Sequence, residues 1–132
     1  MTLKKGFKQL VTEAEAEIET IDVEDAKRLV DDGDTIIVDL RDIRELWNVG
    51  TIPGSVHAPR GMLEFWVDPD SPYHRKVFSS GKKLVFFCAA GWRSALATKA
   101  VQDMGVMPVA HIDGGFSAWI EADGPVVEKD RK

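Results

Sequence analysis

The feature that most constrains this chain is an apolar run that ends in a glycine-containing loop. Leu84-Val85-Phe86-Phe87 leads into Cys88-Ala89-Ala90-Gly91-Trp92-Arg93-Ser94, and a helical pattern begins at Arg93 or Ser94. A strand, a tight loop and a helix in that order make one unit of an α/β sheet. In an open sheet of this kind, ligands bind beyond the carboxyl ends of the strands, and Cys88 stands at such an end. It is the only cysteine in the chain.

The rest of the sequence repeats the alternation. Phe7, Leu10, Val11, Ala14 and Ile18 fall at helical spacing, which predicts an amphipathic helix over 5–18. Thr20-Ile21 reads as a short strand. Asp22 is placed to cap a helix over 23–31 that stops near Gly33. Thr35-Ile36-Ile37-Val38 is β-branched and apolar, as buried strands are. Short helices are expected over 43–47 and 116–120, and further strands over 55–58 and 109–112. Pro69, Pro72, Ser79, Ser80 and Gly81 punctuate a long connection with one or two helical turns. Leu96, Ala100, Val101 and Met104 share a face of the helix that follows Cys88 and ends at Gly105. The tail over 128–132 is charged and expected to fray. Strands alternating with helices predict an α/β fold, a parallel sheet with helices on both faces, in a single domain over 1–132.

Composition narrows the function classes. The 132 residues suffice for one core, and 44% hydrophobic with 30% charged residues is ordinary for a globular domain. No apolar run approaches the roughly 20 residues of a membrane span. Lys4 and Lys5 begin like a signal peptide, but glutamates at 13, 15, 17 and 19 fill the place of its apolar segment. One cysteine cannot form an internal disulfide, so a reducing, cytoplasmic location is expected. A net charge of −5 argues against nucleic acid or an anionic membrane as partner. A small anionic substrate remains compatible, because the field of a site is local.

An isolated cysteine at the end of a strand is usually a buried, inert thiol. The residues after Cys88 change that reading. Ala89, Ala90 and Gly91 are small, so the backbone can curl and aim N–H groups at one point. Such a nest, continued by a helix N-terminus, binds anions. Arg93 adds a positive charge and Ser94 a hydroxyl. A free thiol with a pKa of about 8.5 is only about 3% thiolate at pH 7. A helix terminus contributes about 0.3–1 kcal/mol, at most about 2, or roughly one pKa unit. Converging amides are therefore needed to ionise the thiol fully. Of the histidines, His111 lies in a predicted strand and reads as structural. His74 lies in the irregular connection, and His57 is the best placed near the rim. None has the spacing of a Cys–His pair or a metal site, and no metal or cofactor is expected.

Three segments, in order, resemble the single-domain rhodaneses, a sulfurtransferase family. Asp39-Leu40-Arg41, Glu45 and Gly50-Thr51-Ile52-Pro53-Gly54-Ser55 resemble the D-x-R…E…G-H-I-P-G-A signature. Cys88 to Ser94 resembles the C-x-x-G-x-R-S loop. Gly114-Gly115-Phe116…Trp119 with Gly124-Pro125-Val126 resembles the closing G-G-x-x-x-W…G-x-P-V. The resemblance spans 39–126. It implies a rhodanese-like sheet of about five parallel strands. It also implies a covalent cycle in which Cys88 takes a sulfane sulfur from a small anionic donor such as thiosulfate. A thiol, a protein acceptor or cyanide then removes that sulfur. Cys88 and Arg93 would be catalytic, while Ala89, Ala90, Gly91, Trp92, Ser94 and Arg60 would meet the substrate. Asp39 and Arg41 are expected to support the site as a buried ion pair.

Two positions depart from the pattern. Thr51 replaces the usual histidine, and Ala89 and Ala90 are uncharged where thiosulfate-preferring relatives often carry basic residues. Two other readings are compatible with the resemblance. One is a relay or regulatory module that acts on a protein partner. The other is a cysteine phosphatase, which needs C-x5-R. Here Arg93 follows only four intervening residues and Ser94 occupies the phosphatase position.

Overall fold

Lys83–Phe87 is apolar on both faces because it is the middle strand of the sheet. The computed structural model describes residues 1–131. Its strands are β1 (Glu19–Ile21), β2 (Thr35–Asp39), β3 (Val56–His57), β4 (Lys83–Phe87) and β5 (Val109–Ile112). They form one sheet in the order β1-β5-β4-β2-β3, and every neighbouring pair is parallel. Alternate residues of β4 feed two cores. Leu84 and Phe86 pack with Val38, Leu63, Ala97 and Val101 on one side of the sheet. Val85 and Phe87 pack with Ile37, Ile112, Phe116 and Trp119 on the other. A buried phenylalanine is worth about 1.5–3 kcal/mol relative to an exposed one, so both faces anchor the strand that carries Cys88.

The helices are α1 (Phe7–Glu15), α2 (Val23–Leu29), α3 (Ile43–Val49), α4 (Leu63–Val67), α5 (Trp92–Asp103) and α6 (Gly115–Glu121). Residues of α4 and α5 contribute to the first core, and residues of α2 and α6 to the second. The expected capping by Asp22 is present: its Oδ1 accepts from the Asp25 amide at 2.8 Å. The connection over 61–80 holds more helix than its punctuation suggests. It contains α4 and a 3₁₀ turn at Lys76–Ser79, and another 3₁₀ turn at Arg60–Met62 precedes it.

Two helix faces differ from expectation. On α5 the buried residues are Ser94, Ala95, Ala97, Thr98 and Val101, while Met104 is exposed. The reason is that α5 is covered twice. The sheet lies on one side, and Val11 and Ala14 of α1 pack on Ala95 from the other. A helix between two layers needs small residues, and its apolar stripe is correspondingly hard to read. On α1, Val11 and Ala14 are buried but Phe7 and Leu10 stay exposed, and the helix stops at Glu15 rather than 18.

The chain after α6 returns to α3 and β3. Trp119 Nε1 donates to the Pro125 carbonyl at 2.7 Å, and Thr51 pairs with Val127. Residues 128–131 carry no helix or strand, yet Trp47 Nε1 donates to the Asp130 carbonyl at 3.2 Å. The last residue of the expected frayed tail, Lys132, lies outside the described residues. Among the described residues, no helix is long and apolar enough to cross a membrane.

Candidate active site

The loop after β4 closes around the sulfur of Cys88. Gly91 is its turning point, at φ +105°, a left-handed conformation that glycine adopts without steric cost. From there the chain enters α5, and its amides point back. The Gly91 N–H donates to Cys88 Sγ at 3.1 Å and the Ser94 N–H at 3.4 Å. Ser94 Oγ stands 3.6 Å from the same sulfur. The predicted nest thus exists, with its donors at Gly91 and Ser94. Ala89 and Ala90 supply no amide to the sulfur, and Ala89 instead lines a neighbouring cleft. Cys88 is recessed, with 1% of its surface exposed.

The back of the loop is held by α6. The Phe116 N–H donates to the Cys88 carbonyl at 2.8 Å, and the Ser117 N–H donates to the Ala89 carbonyl at 3.0 Å. Gly115, at φ +57°, permits this approach. A Cβ there would overlap the Cys88 carbonyl oxygen and lie 2.9 Å from the Ala89 carbonyl.

Asp39 and Arg41 form the expected buried ion pair, both essentially without exposure. Arg41 Nε donates to Asp39 Oδ1 at 3.0 Å and Nη2 to Oδ2 at 2.7 Å. Nη2 also reaches the Gly50 carbonyl at 2.8 Å. Thr51 Oγ1 donates to Asp39 Oδ2 at 2.7 Å, so the residue that departs from the signature still serves this pair. The guanidinium lies 4.2 Å over the ring of Phe116.

Arg93, expected to be catalytic, and Arg60, expected to meet the substrate, are both engaged by carboxylates. Arg93 makes a bidentate pair with Glu45, at 2.9 and 3.0 Å. Glu45 in turn accepts from the Asp42 amide and caps α3. The Arg93 bond holds the Glu45 carboxyl below its ordinary value. The same bond raises Arg93, with the nearby Cys88 sulfur adding to it. Arg60 pairs with Glu64 at 2.8 Å. Trp92 is 56% exposed, and its ring packs against Phe7 in a tilted arrangement, 4.8 Å between centroids, rather than closing over the loop. A cleft of about 690 Å³ adjoins the loop at Ala89, walled by Val49, Phe116 and Ile120 and edged by Glu45 and Glu121.

The histidines are not where the sequence suggests. His57 Nε2 pairs with the Arg41 carbonyl at 2.7 Å and so braces the loop after β2. His111, read as structural, is the one beside the nucleophile, with Nδ1 2.8 Å from Ser94 Oγ. The overlooked signal is one of register. His111 pairs with Phe86 across the sheet, next to the end of β4.

A match to the rhodanese-like domain covers residues 22–122. The chain belongs to the rhodanese-like family. It is 31% identical to rhodanese-like domain-containing protein 17 of Arabidopsis thaliana, over 86% of this chain and 75% of that protein. Some relatives are much longer. For the tRNA uridine(34) hydroxylase of Mesorhizobium japonicum, 33% identical over 74% of this chain, the chain spans 30% of the protein.

Solved structures agree on the fold. A Rhodopseudomonas palustris protein described as of unknown function and a possible tyrosine phosphatase superposes with a TM-score of 0.93. It is 53% identical, with 96% of this chain and 98% of that one covered. The polysulfide-sulfur transferase homodimer of Wolinella succinogenes gives a TM-score of 0.70 at 28% identity, covering 95% and 89%. At the level of the family, this rhodanese domain is of the sulfurtransferase type.

Proposed function

We propose that the protein is a sulfurtransferase that carries a sulfane sulfur as a persulfide on Cys88. The observation that supports this most strongly is the recessed sulfur at the focus of the Gly91 and Ser94 amides. In the first step, the Cys88 thiolate attacks the outer sulfur of a donor. The donor's S–S bond breaks and its electron pair leaves with the remainder, which is sulfite when thiosulfate is the donor. In the second step, an acceptor thiolate or cyanide attacks the Cys88-bound outer sulfur. The electron pair of that bond returns to Cys88. The anionic persulfide is a short, unbranched extension of the side chain, suited to the amides that already face Sγ.

A phosphoryl group needs more. Its three oxygens call for a wider loop and a cation free to meet them. Here the loop is one residue shorter than C-x5-R, and Arg93 is held by Glu45. The engagement of Arg93 and Arg60 also weighs against a doubly charged donor such as thiosulfate. It favours a donor recognised through an organic body, for which the apolar cleft beside Ala89 offers room. A single free cysteine suits a reducing compartment such as the cytoplasm.

The test is the intact mass after exposure to a sulfane donor. A gain of about 32 Da that cyanide or dithiothreitol removes is the expected result. A sulfinic acid of the same nominal mass would survive both reagents. Cys88→Ser should remain folded and gain nothing. Absence of the labile adduct with thiosulfate, polysulfide and an organic persulfide alike would overturn the proposal.

A further inference from the structure

Behind the nucleophile runs a buried polar chain that the two-amide cradle does not use. Cys88 Sγ lies 3.6 Å from Ser94 Oγ, and Ser94 Oγ lies 2.8 Å from His111 Nδ1. All three residues are at most 1% exposed. The chain ends at His111 Nε2, which is buried and has no hydrogen-bond partner. That orphan decides which way the chain is polarised. A proton on Nε2 would leave a buried donor unsatisfied, the rarer and costlier kind of orphan. A proton on Nδ1 leaves only a bare lone pair at Nε2 and makes Nδ1 a donor to Ser94 Oγ.

With its oxygen occupied as an acceptor, the Ser94 hydroxyl must direct its own proton elsewhere. The neighbours within reach are the Gly91 carbonyl at 3.3 Å and Cys88 Sγ. Once the sulfur is anionic, charge–dipole attraction favours the sulfur. We propose that His111 is a positioning residue of this site, whose Nδ1–H turns the Ser94 hydroxyl into a third donor to the anionic Cys88 sulfur. This rests on the sulfurtransferase reading only for its purpose. The hydrogen-bond chain acts on a thiolate whether or not sulfur is transferred.

The surrounding charges fit a neutral imidazole. Burial pushes His111 down, against a smaller opposing pull from Asp113. Arg93, from α5, is the cation beside the sulfur, and it is paired with Glu45 from α3. Arg41, from the loop after β2, is neutralised by Asp39.

The experiment measures alkylation of Cys88 by iodoacetamide against pH in the full chain, which needs no sulfur donor. Thermal melts check folding, and persulfide formation is scored separately by mass. His111→Leu should lower the rate at pH 7 by about threefold to tenfold, the worth of one hydrogen bond, and move the rate–pH profile to higher pH. Ser94→Ala should do the same. His111→Asn, whose amide can stand where Nδ1 stands, should restore most of the rate. The double variant His111→Leu/Ser94→Ala should be no slower than Ser94→Ala alone.

An unchanged profile in Ser94→Ala or His111→Leu would overturn the proposal. So would equal losses in the Leu and Asn variants, or additive losses in the double variant. If His111→Leu does not fold, Ser94→Ala and His111→Asn still decide, since the first must slow alkylation and the second must not. A missing persulfide with these alkylation results intact would refute the sulfurtransferase reading and leave the hydrogen-bond chain standing.

Discussion

Gly115→Ala tests whether the loop is held in shape from behind. The substitution carries two separable costs. The first is conformational: at φ +57° an L-residue costs about 1–2 kcal/mol relative to glycine. The second comes from space. The new Cβ would overlap the Cys88 carbonyl oxygen and press on the Ala89 carbonyl at 2.9 Å. These are backbone atoms between the central strand and its helix, so they cannot swing aside. The start of α6 must retreat instead, which stretches the bonds from the Phe116 and Ser117 amides to those carbonyls. Losing two buried hydrogen bonds adds about 2–4 kcal/mol, for a total of about 3–6 kcal/mol. For a domain of this size that is a fall in Tm of roughly 10–25 °C. Gly33→Ala is the control. Gly33 is also left-handed, at φ +79°, but a Cβ there meets nothing within 4 Å, so it should show the conformational cost alone. Urea unfolding gives both stabilities, and persulfide yield at 15 °C reports the cradle in the folded fraction. If Gly115→Ala falls within about 0.5 kcal/mol of Gly33→Ala, α6 does not constrain the loop and the reasoning fails.

The buried pair should behave asymmetrically. Asp39→Leu leaves the Arg41 guanidinium uncompensated and is expected to cost about 3–5 kcal/mol in urea unfolding, while Asp39→Leu/Arg41→Met should recover most of that. The burial of His111 sets a pH dependence. Its folded-state pKa is depressed, so below about pH 6.5 the unfolded chain binds a proton that the folded chain refuses. Stability should therefore fall as pH drops from 7.5 to 5.5, and His111→Asn should flatten that slope. An equal slope in the variant would assign the effect to other groups. Glu45→Gln frees one side of Arg93 and weakens the cap of α3. It should lower the Tm by a few degrees at most, since surface pairs and caps are worth about 0.5–2 kcal/mol, and measurably improve the persulfide yield with thiosulfate.

The sequence exposes what depends on the order of elements and hides what depends on their approach. β4 and its cysteine are legible because an apolar run that breaks at a glycine has few uses. The Asp22 cap is legible because its partner lies three residues away. The buried face of α5 is not, because Ser94, Ala97 and Thr98 are small or polar rather than large and apolar. Ala97 is covered by the sheet, and only the arrival of α1 on the outer side explains why Ala95 is buried as well. His111 reads as structural because nothing along the chain places it beside Ser94, which is seventeen residues earlier and joined to it only by the pairing of β4 with β5. The engagement of Arg93 is hidden for the same reason. Glu45 is a helix cap by its local pattern, and its second role needs a partner forty-eight residues away.

The same distances explain why three separated motifs occur together. Thr51 donates to Asp39, Asp39 fixes Arg41, and Arg41 spreads its guanidinium over Phe116. Phe116 begins the turn of α6 whose amides hold the Cys88 and Ala89 carbonyls. The end of α6 is fastened in turn by Trp119 to Pro125, and the chain beyond returns to Thr51 through Val127. The first motif therefore positions the third, and the third holds the second. A threonine can stand where the signature has a histidine because what the position must supply is a donor to Asp39, and a hydroxyl at 2.7 Å supplies one. On this argument Thr51→Val, which keeps the shape and removes the donor, should weaken the loop through Arg41 and Phe116 although it touches neither Cys88 nor its neighbours. Slower persulfide formation with faster alkylation-independent proteolysis at Ala89–Ala90 is the expected signature, and wild-type behaviour in both would break the circuit at its first link.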